Sequence, residues 1–99
     1  MRVIWSDAAE DDLVSILLYV AADDKAAAFR LVDKLEVAGN SLVDFPKRGR
    51  QGRTPGTREL AVSSTKYILI YEITGDRVEI FHVLHGARDW PSHSEKGTS

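Results

Sequence analysis

Three side chains near the ends of predicted strands could act on a phosphate-bearing substrate. Arg58 begins one strand, whereas His85 and Arg88 lie where the last strand ends. Cleavage of RNA needs a base for the 2′-hydroxyl, an acid for the leaving oxygen and cations for the phosphate. Arg58 and Arg88 could be those cations, and His85 is the best acid–base candidate because a strand end is easily exposed. No second acid–base group stands at a fixed spacing from His85, so the set is incomplete.

Each of these residues also has a structural interpretation. Arg58 is in phase with Leu60 and Val62, so it is either a buried ion-pair partner or a cation at the mouth of the sheet. Arg88 either serves a site or pairs with a neighbouring acid on the surface. Trp90 either packs over the sheet edge or anchors a partner protein.

The other polar groups of the strands favour packing over chemistry. His82 is in phase with Val78 and Ile80 and is predicted to be a core histidine. Tyr67 and Tyr71 share one strand face, where their rings pack and their hydroxyls reach the rim. The three histidines do not match a metal-ligand spacing, and the glycine-rich stretch lacks the ending of a phosphate-binding loop. We therefore expect neither a metal nor a cofactor.

Positive charge is concentrated in one stretch, Lys47 to Arg58, called the basic segment below. Its cations are Lys47, Arg48, Arg50, Arg53 and Arg58, and it contains no acid. The rest of the chain is acidic, so the net charge is −2. A single basic loop on an acidic body focuses an electrostatic field, whereas a dedicated nucleic-acid binder is expected to be broadly basic. Direct and specific nucleic-acid binding is therefore not expected.

The size and composition predict one domain and a loose tail. The chain has 99 residues, of which 43% are hydrophobic, and it has no cysteine. We expect a single domain over residues 1–91 and a flexible tail over residues 92–99. No apolar run is long enough for a membrane span, and the N-terminus does not read as a signal peptide. The expected location is the cytoplasm.

The elements that must position these side chains follow from hydrophobic periodicity. Two helices are predicted to end near Ala22 and Val43. Ser6 is predicted to cap the first and the turn Asp23–Asp24 the second, and this turn is so short that the helices must form an antiparallel hairpin. The predicted strands are Arg2–Trp5, Arg58–Val62, Tyr67–Thr74 and Arg77–His85. The order β-α-α-β-β-β buries both helical stripes only if the hairpin lies on one sheet face. This predicts an α+β two-layer sandwich with a small, mainly antiparallel sheet.

Short motifs occur in a specific order along nearly the whole chain, from Ile4 to Pro91. They are Trp5–Ser6, Asp12–Leu13 with Ile16 and Tyr19, Phe45–Pro46, Gly49–Arg50, Gly56–Leu60, Tyr67–Ile68 with Ile70–Tyr71, and Val83–Arg88. In this order they resemble the ParE/RelE superfamily of bacterial toxins from type II toxin–antitoxin pairs. The last two motifs resemble the ParE branch more than the RelE branch.

The branch of the resemblance determines the implied function. A ParE-like toxin is implied to inhibit DNA gyrase by protein–protein contact, with no catalytic residue of its own. A RelE-like toxin is implied to be a ribosome-dependent mRNA interferase, and Arg58, His85 and Arg88 would then be its working residues. A third alternative is a non-toxic member that only binds an antitoxin.

The resemblance also implies a partner, a cognate ParD-like antitoxin in a toxin–antitoxin hetero-oligomer. We expect that antitoxin to cover apolar surface beside the helical hairpin and the sheet edge, with its acids against the basic segment. The residues predicted to contact partners are Arg48, Arg50, Arg53, Arg58, Arg88 and Trp90.

Overall fold

Two helices pack on one face of a five-stranded mixed sheet in the computed structural model, which describes residues 1–87. The helices are α1 (Asp7–Ala21) and α2 (Lys25–Asn40), and a 3-10 turn (Ser41–Val43) follows α2. The strands are β1 (Arg2–Trp5), β2 (Arg50–Gln51), β3 (Arg58–Ala61), β4 (Tyr67–Thr74) and β5 (Arg77–His85). This confirms the predicted α+β sandwich. Arg88, Trp90 and the predicted tail 92–99 lie outside the described residues.

The sheet has the strand order β1-β5-β4-β3-β2. The strands β2 to β5 are antiparallel neighbours, and β1 joins β5 in parallel, with Arg2 opposite Arg77. The two-residue strand β2 lies inside the basic segment, whose residues 47–57 the sequence predicts to be loop. The buried core lies between the sheet and the helices, and its largest fully buried side chains are Tyr71, Leu35, Leu42, Leu69, Ile80 and Val78.

Ser6 connects the first strand, the first helix and the last strand. Its backbone N–H donates to the Ile80 carbonyl at 2.9 Å, and its hydroxyl donates to the Phe81 carbonyl at 2.9 Å. The same hydroxyl oxygen accepts the N–H of Ala9 at 3.0 Å, so it also caps α1. The predicted cap therefore has a second role, which is to fix the start of α1 on β5.

A β-bulge in β5 changes the predicted environment of His82. Ile70 pairs with His82 but Tyr71 pairs with Ile80, so Phe81 has no opposite residue on β4. The extra residue shifts the alternation by one, and Val83 takes the buried position. The prediction of a core histidine is therefore wrong: the side chain of His82 is 50% exposed.

His82 and the free edge of β5 both contact α1. The Asp12 carboxylate lies 3.1 Å from Nδ1 of His82 and accepts the backbone N–H of Val83 at 2.9 Å. Beyond Ile80 the edge of β5 has no strand partner in β1, so Asp12 satisfies a donor that would otherwise face water.

Within residues 1–87, no helix is long and apolar enough to cross a membrane.

Trp5 and α2 pack closely because residue 39 has no side chain. The indole N–H donates to Oδ1 of Asn40 at 2.9 Å, and a Cβ at Gly39 would lie 2.6 Å from the ring atom Cη2. Real Cβ atoms do not approach that closely, so a glycine is required where β1 meets α2.

Replacement of Gly39 by alanine should therefore destabilise the protein by about 1 kcal/mol, because the displaced indole costs more than the roughly 1 kcal/mol that alanine gains in a helix. In a Trp5→Phe background the smaller ring relieves the contact with the indole and leaves the Ile80 Cδ1 atom at 2.9 Å, so the same substitution should cost less. Urea unfolding of the four proteins in this double-mutant cycle measures the effect. Equal effects of Gly39→Ala in both backgrounds would contradict it.

Candidate functional site

The hydroxyl of Tyr71 fixes the chain where it enters the basic segment. This hydroxyl donates to the Pro46 carbonyl at 2.6 Å and accepts the backbone N–H of Gly49 at 2.8 Å. Tyr71 is fully buried in the core, so the sheet holds this loop by an interior side chain. Burial raises the pKa of Tyr71 above its ordinary value of 10.0, against smaller lowering effects from the Gly49 hydrogen bond, Arg58 and Arg48. The hydroxyl is therefore neutral near pH 7 and can both donate and accept.

Gly49 permits this close approach. A Cβ there would lie 2.7 Å from the Tyr71 hydroxyl and 2.8 Å from the Glu59 carbonyl oxygen. Any side chain would push the loop off the sheet. Glycine is therefore required at residue 49 because the backbone approaches Tyr71 and Glu59 closely, and not because of a turn conformation.

Arg58 holds the same loop from the other side. Its Nη1 donates to the Gly49 carbonyl at 2.7 Å and lies 3.5 Å from the Lys47 carbonyl. Arg58 is half-buried and shares a face with the buried Leu60 and Val62, as its strand phase predicts. The sequence predicts that Arg58 is either a buried ion-pair partner or a cation at the mouth of the sheet. In the structure its hydrogen-bond partners are backbone carbonyls.

Glu59 neutralises part of the basic segment. This carboxylate is 4% exposed and accepts from Nε and Nη2 of Arg50, at 3.4 and 3.2 Å, and from the backbone N–H of Arg53 at 2.9 Å. A buried acid that has three donors requires those donors to stay in place. The prediction of an unopposed cationic loop overlooks Glu59, although it is the first residue after the segment.

Phe45, Lys47 and Arg48 form one exposed part of this region, called the Phe45 turn below. The Phe45 ring is 62% exposed, and the Arg48 guanidinium lies 5.6 Å from its centroid in a cation–π contact. Arg48 also donates to the Ser41 hydroxyl at 3.0 Å. An open, mainly apolar hollow of about 590 Å³ lies here, lined by Asp44, Phe45, Pro46, Lys47 and Arg48. An exposed aromatic with adjacent cations is typical of a protein-binding surface.

His85 lies at the end of β5, opposite Tyr67 of β4. Its ring contacts Tyr67 edge-on, with centroids 5.4 Å apart, and its Nδ1 accepts the N–H of Ala87 at 3.2 Å. That bond places the proton of the neutral ring on Nε2. His85, Tyr19, Lys66 and Tyr67 are among the residues that border a hollow of about 320 Å³.

The candidate residues therefore do not converge. Arg58 pairs with Tyr71 and His85 pairs with Tyr67, so four residues of β4 separate the two positions. At about 3.3 Å per residue, the two positions are about 13 Å apart along the strand direction. They are also separated across the sheet, because Arg58 lies on β3 and His85 lies on β5, on either side of β4. One phosphodiester cannot contact both, and Arg88 and Trp90 lie outside the described residues. No group of three or more His, Asp or Glu side chains within residues 1–87 could hold a metal ion.

Comparison with known proteins identifies the family. Residues 3–90 match the family described as the ParE toxin of the type II toxin–antitoxin system parDE. A candidate toxin named Y4kP, from Sinorhizobium fredii, is 39% identical over 91% of this chain and 93% of its own length. The toxin RelE2 of Caulobacter vibrioides is 34% identical over 88% of this chain and 97% of its own length. The chain therefore belongs to the ParE toxin family of type II toxin–antitoxin systems.

A solved structure has the same fold. A chain from the chromosomal ParDE toxin–antitoxin system of P. aeruginosa superposes with a TM-score of 0.77, covering 86% of this chain and 95% of that chain. The sequence identity is 23%, so this likeness concerns the fold alone.

Removal of the Tyr71 hydroxyl should loosen the basic segment. Tyr71→Phe should cost about 1–3 kcal/mol at pH 7, because Pro46 and Gly49 each lose a buried hydrogen bond. Since burial raises the pKa, the wild-type advantage is complete below pH 10.0 and is lost as the pH rises through the raised pKa. Urea unfolding at a series of pH values measures the difference. Tyr67→Phe is the control, since the Tyr67 hydroxyl makes no hydrogen bond within residues 1–87, and an equal cost in both variants would contradict the assignment.

Proposed function

We propose that this protein is the toxin of a type II toxin–antitoxin pair, that a cognate antitoxin neutralises it, and that the released toxin inhibits DNA gyrase by protein–protein contact. Its expected site of action is the cytoplasm. The gyrase proposal rests mainly on what the cations of the basic segment bind within the protein. Arg58 binds loop carbonyls and Arg50 binds Glu59. These side chains build the surface of the loop and are not poised for a phosphate.

The Phe45 turn supports protein contact over catalysis. Phe45 exposes an aromatic ring beside Lys47 and Arg48, and Tyr71 and Arg58 fix the backbone on which these side chains stand. A preordered loop loses little conformational entropy when it binds. We therefore assign partner contact to Phe45, Lys47 and Arg48 and a positioning role to Arg50 and Arg58.

The helical hairpin offers a second surface to which the antitoxin could bind. Val14 and Leu18 on α1, and Phe29 and Val37 on α2, are each more than half exposed. A partner that covers these side chains would remove their apolar area from water. The antitoxin would cover this surface and extend its acids toward the Phe45 turn.

A RelE-like mRNA interferase is the second candidate function. His85 favours it, because its imidazole ring lies beside a hollow that Lys66 also borders. Two relatives from Caulobacter vibrioides are named as RelE toxins. The separation of Arg58 from His85 opposes it, since the phosphate and the proton-transfer group must be adjacent. A non-toxic antitoxin-binding protein is the remaining alternative.

Induction of the chain alone in a bacterial host distinguishes these functions. Early loss of supercoiling and a DNA damage response with intact transcripts is expected, and His85→Gln should act like the wild type because no proton transfer is involved. Glutamine keeps an acceptor near the Ala87 N–H, so the fold is conserved. Cleaved transcripts that depend on His85 would establish the interferase instead, and unimpaired growth would establish the non-toxic alternative.

The charge of the Phe45 turn should strengthen antitoxin binding. The double variant Lys47→Gln, Arg48→Gln should bind the cognate antitoxin about three- to tenfold more weakly at low salt, with a smaller difference at high salt. Arg2→Gln with Lys66→Gln removes the same charge elsewhere and is the control. Calorimetry at two ionic strengths measures both. Unchanged affinity of the first variant at both would remove the turn from the interface.

A further inference from the structure

A hollow of about 320 Å³ lies between the helical hairpin and the ends of β4 and β5, and it is called the Tyr67 hollow below. The helices contribute the apolar side chains of Val20 and Leu31, which also pack against the core. The sheet contributes Tyr67 and His85, whose rings meet edge-on. A concave site with apolar and aromatic walls and a few polar groups is the usual form of a binding pocket.

The hydroxyl of Tyr67 is the polar group of this hollow that the fold does not use. Tyr67 is 8% exposed, and its hydroxyl makes no hydrogen bond within residues 1–87. A buried tyrosine hydroxyl usually has a hydrogen-bond partner. This oxygen is not among the sealed side-chain atoms that lack a partner, so it opens to the hollow that Tyr67 borders. It is therefore available to a group that enters the hollow.

Tyr71 shows what the same position on the strand provides when the chain supplies partners. Tyr67 and Tyr71 share one face of β4, and both rings are buried. The Tyr71 hydroxyl is satisfied by Pro46 and Gly49, at 2.6 and 2.8 Å. No described segment of the chain does the same for Tyr67. One tyrosine thus holds its own loop, whereas the other keeps a donor and an acceptor open.

The rim of the Tyr67 hollow is cationic. The described residues that border it include Lys66, which is exposed, and no acid. Thr65 is already engaged, because its hydroxyl donates to the Val62 carbonyl at 2.8 Å and accepts the N–H of Tyr67 at 3.1 Å. The Lys66 ammonium and the Tyr67 hydroxyl can both donate to a carboxylate. The hollow therefore fits a large apolar or aromatic side chain that has an acid beside it.

The Tyr67 hollow is separate from the surfaces assigned to the antitoxin. Tyr67 precedes Tyr71 by four residues of β4, which places the hollow about 13 Å along the strand from the hydroxyl that holds the Phe45 turn. The exposed hairpin side chains, such as Leu18 and Phe29, lie on the helix surface, whereas this hollow lies between the helices and the sheet. It offers a contact to a second protein, the one on which the released toxin acts.

We propose that the Tyr67 hollow anchors the protein that the toxin inhibits. One large aromatic or aliphatic side chain of that target enters the hollow, and an adjacent carboxylate of the target binds Lys66 and the Tyr67 hydroxyl. This inference rests on the proposed function, and it adds the place and the chemistry of the target contact. A side chain that fills a desolvated pocket dominates the affinity of many protein interfaces. Its arrival would also give the Tyr67 hydroxyl the partner that the described fold lacks.

Tyr67→Phe tests the anchor because it removes only the hydroxyl, and the free toxin should keep its stability. Purified wild-type toxin should inhibit DNA supercoiling by gyrase, and Tyr67→Phe should require about three- to tenfold more protein for half-maximal inhibition. Lys66→Gln should weaken inhibition by a similar factor, with a smaller effect at high salt. Arg2→Gln removes one charge elsewhere and is the matched control. The affinity of all three variants for the cognate antitoxin, measured by calorimetry, should equal that of the wild type.

The other outcomes separate this inference from the proposed function. Unchanged inhibition by both Tyr67→Phe and Lys66→Gln would overturn the inference and leave the proposed function intact. Weaker antitoxin binding by Tyr67→Phe would assign the hollow to the antitoxin, and lower stability of the free variant in urea would assign it to the fold of this chain. Either result would overturn the inference. Wild-type toxin that binds its antitoxin but does not inhibit gyrase would overturn the gyrase proposal, and the inference with it.

Discussion

The two hydrogen bonds of the Tyr71 hydroxyl determine the shape of the surface on which the proposed function depends. They draw Pro46 and Gly49 onto the end of the sheet, at 2.6 and 2.8 Å, from a position inside the core. This placement brings the Gly49 carbonyl within reach of Arg58 and turns Phe45 outward. A buried hydroxyl that is fully satisfied is rigid, because breaking either bond leaves a polar group unpaired in an apolar setting. The interior of the protein therefore dictates the geometry of its most charged loop.

The basic segment illustrates the difference between formal charge and available charge. Counted along the sequence, it is five cations without an acid. In the fold, the Arg50 guanidinium pairs with Glu59 of β3, which also accepts the backbone N–H of Arg53, and Arg58 turns to carbonyls. The exposed ring of Phe45, with the cations next to it, is open to a partner. A surface of this mixed kind fits a protein better than a phosphate backbone.

The sequence was sufficient for the helices and the long strands because their apolar periodicity is local. It was insufficient for β2, whose two residues lie among glycines and have no alternation to detect. His82 was misplaced because one extra residue in β5 reverses the face of every side chain beyond it, and a bulge leaves no signature in the apolar pattern. The strand phase of Arg58 was predictable, but its partners were not. They depend on a loop whose path is set by Tyr71, 13 residues away along the chain.

The parallel pairing of β1 with β5 imposes an order on biosynthesis. Residues 2–5 are made well before their hydrogen-bonding partners at residues 77–80. At about 5–20 residues per second, the nascent chain waits several seconds before its two ends can join, and Ser6 cannot fix α1 until then. The sheet is thus completed only after β5 has been made. A chain that lacks β5 has no partner for β1 and no carbonyl at residue 81 to hold Ser6.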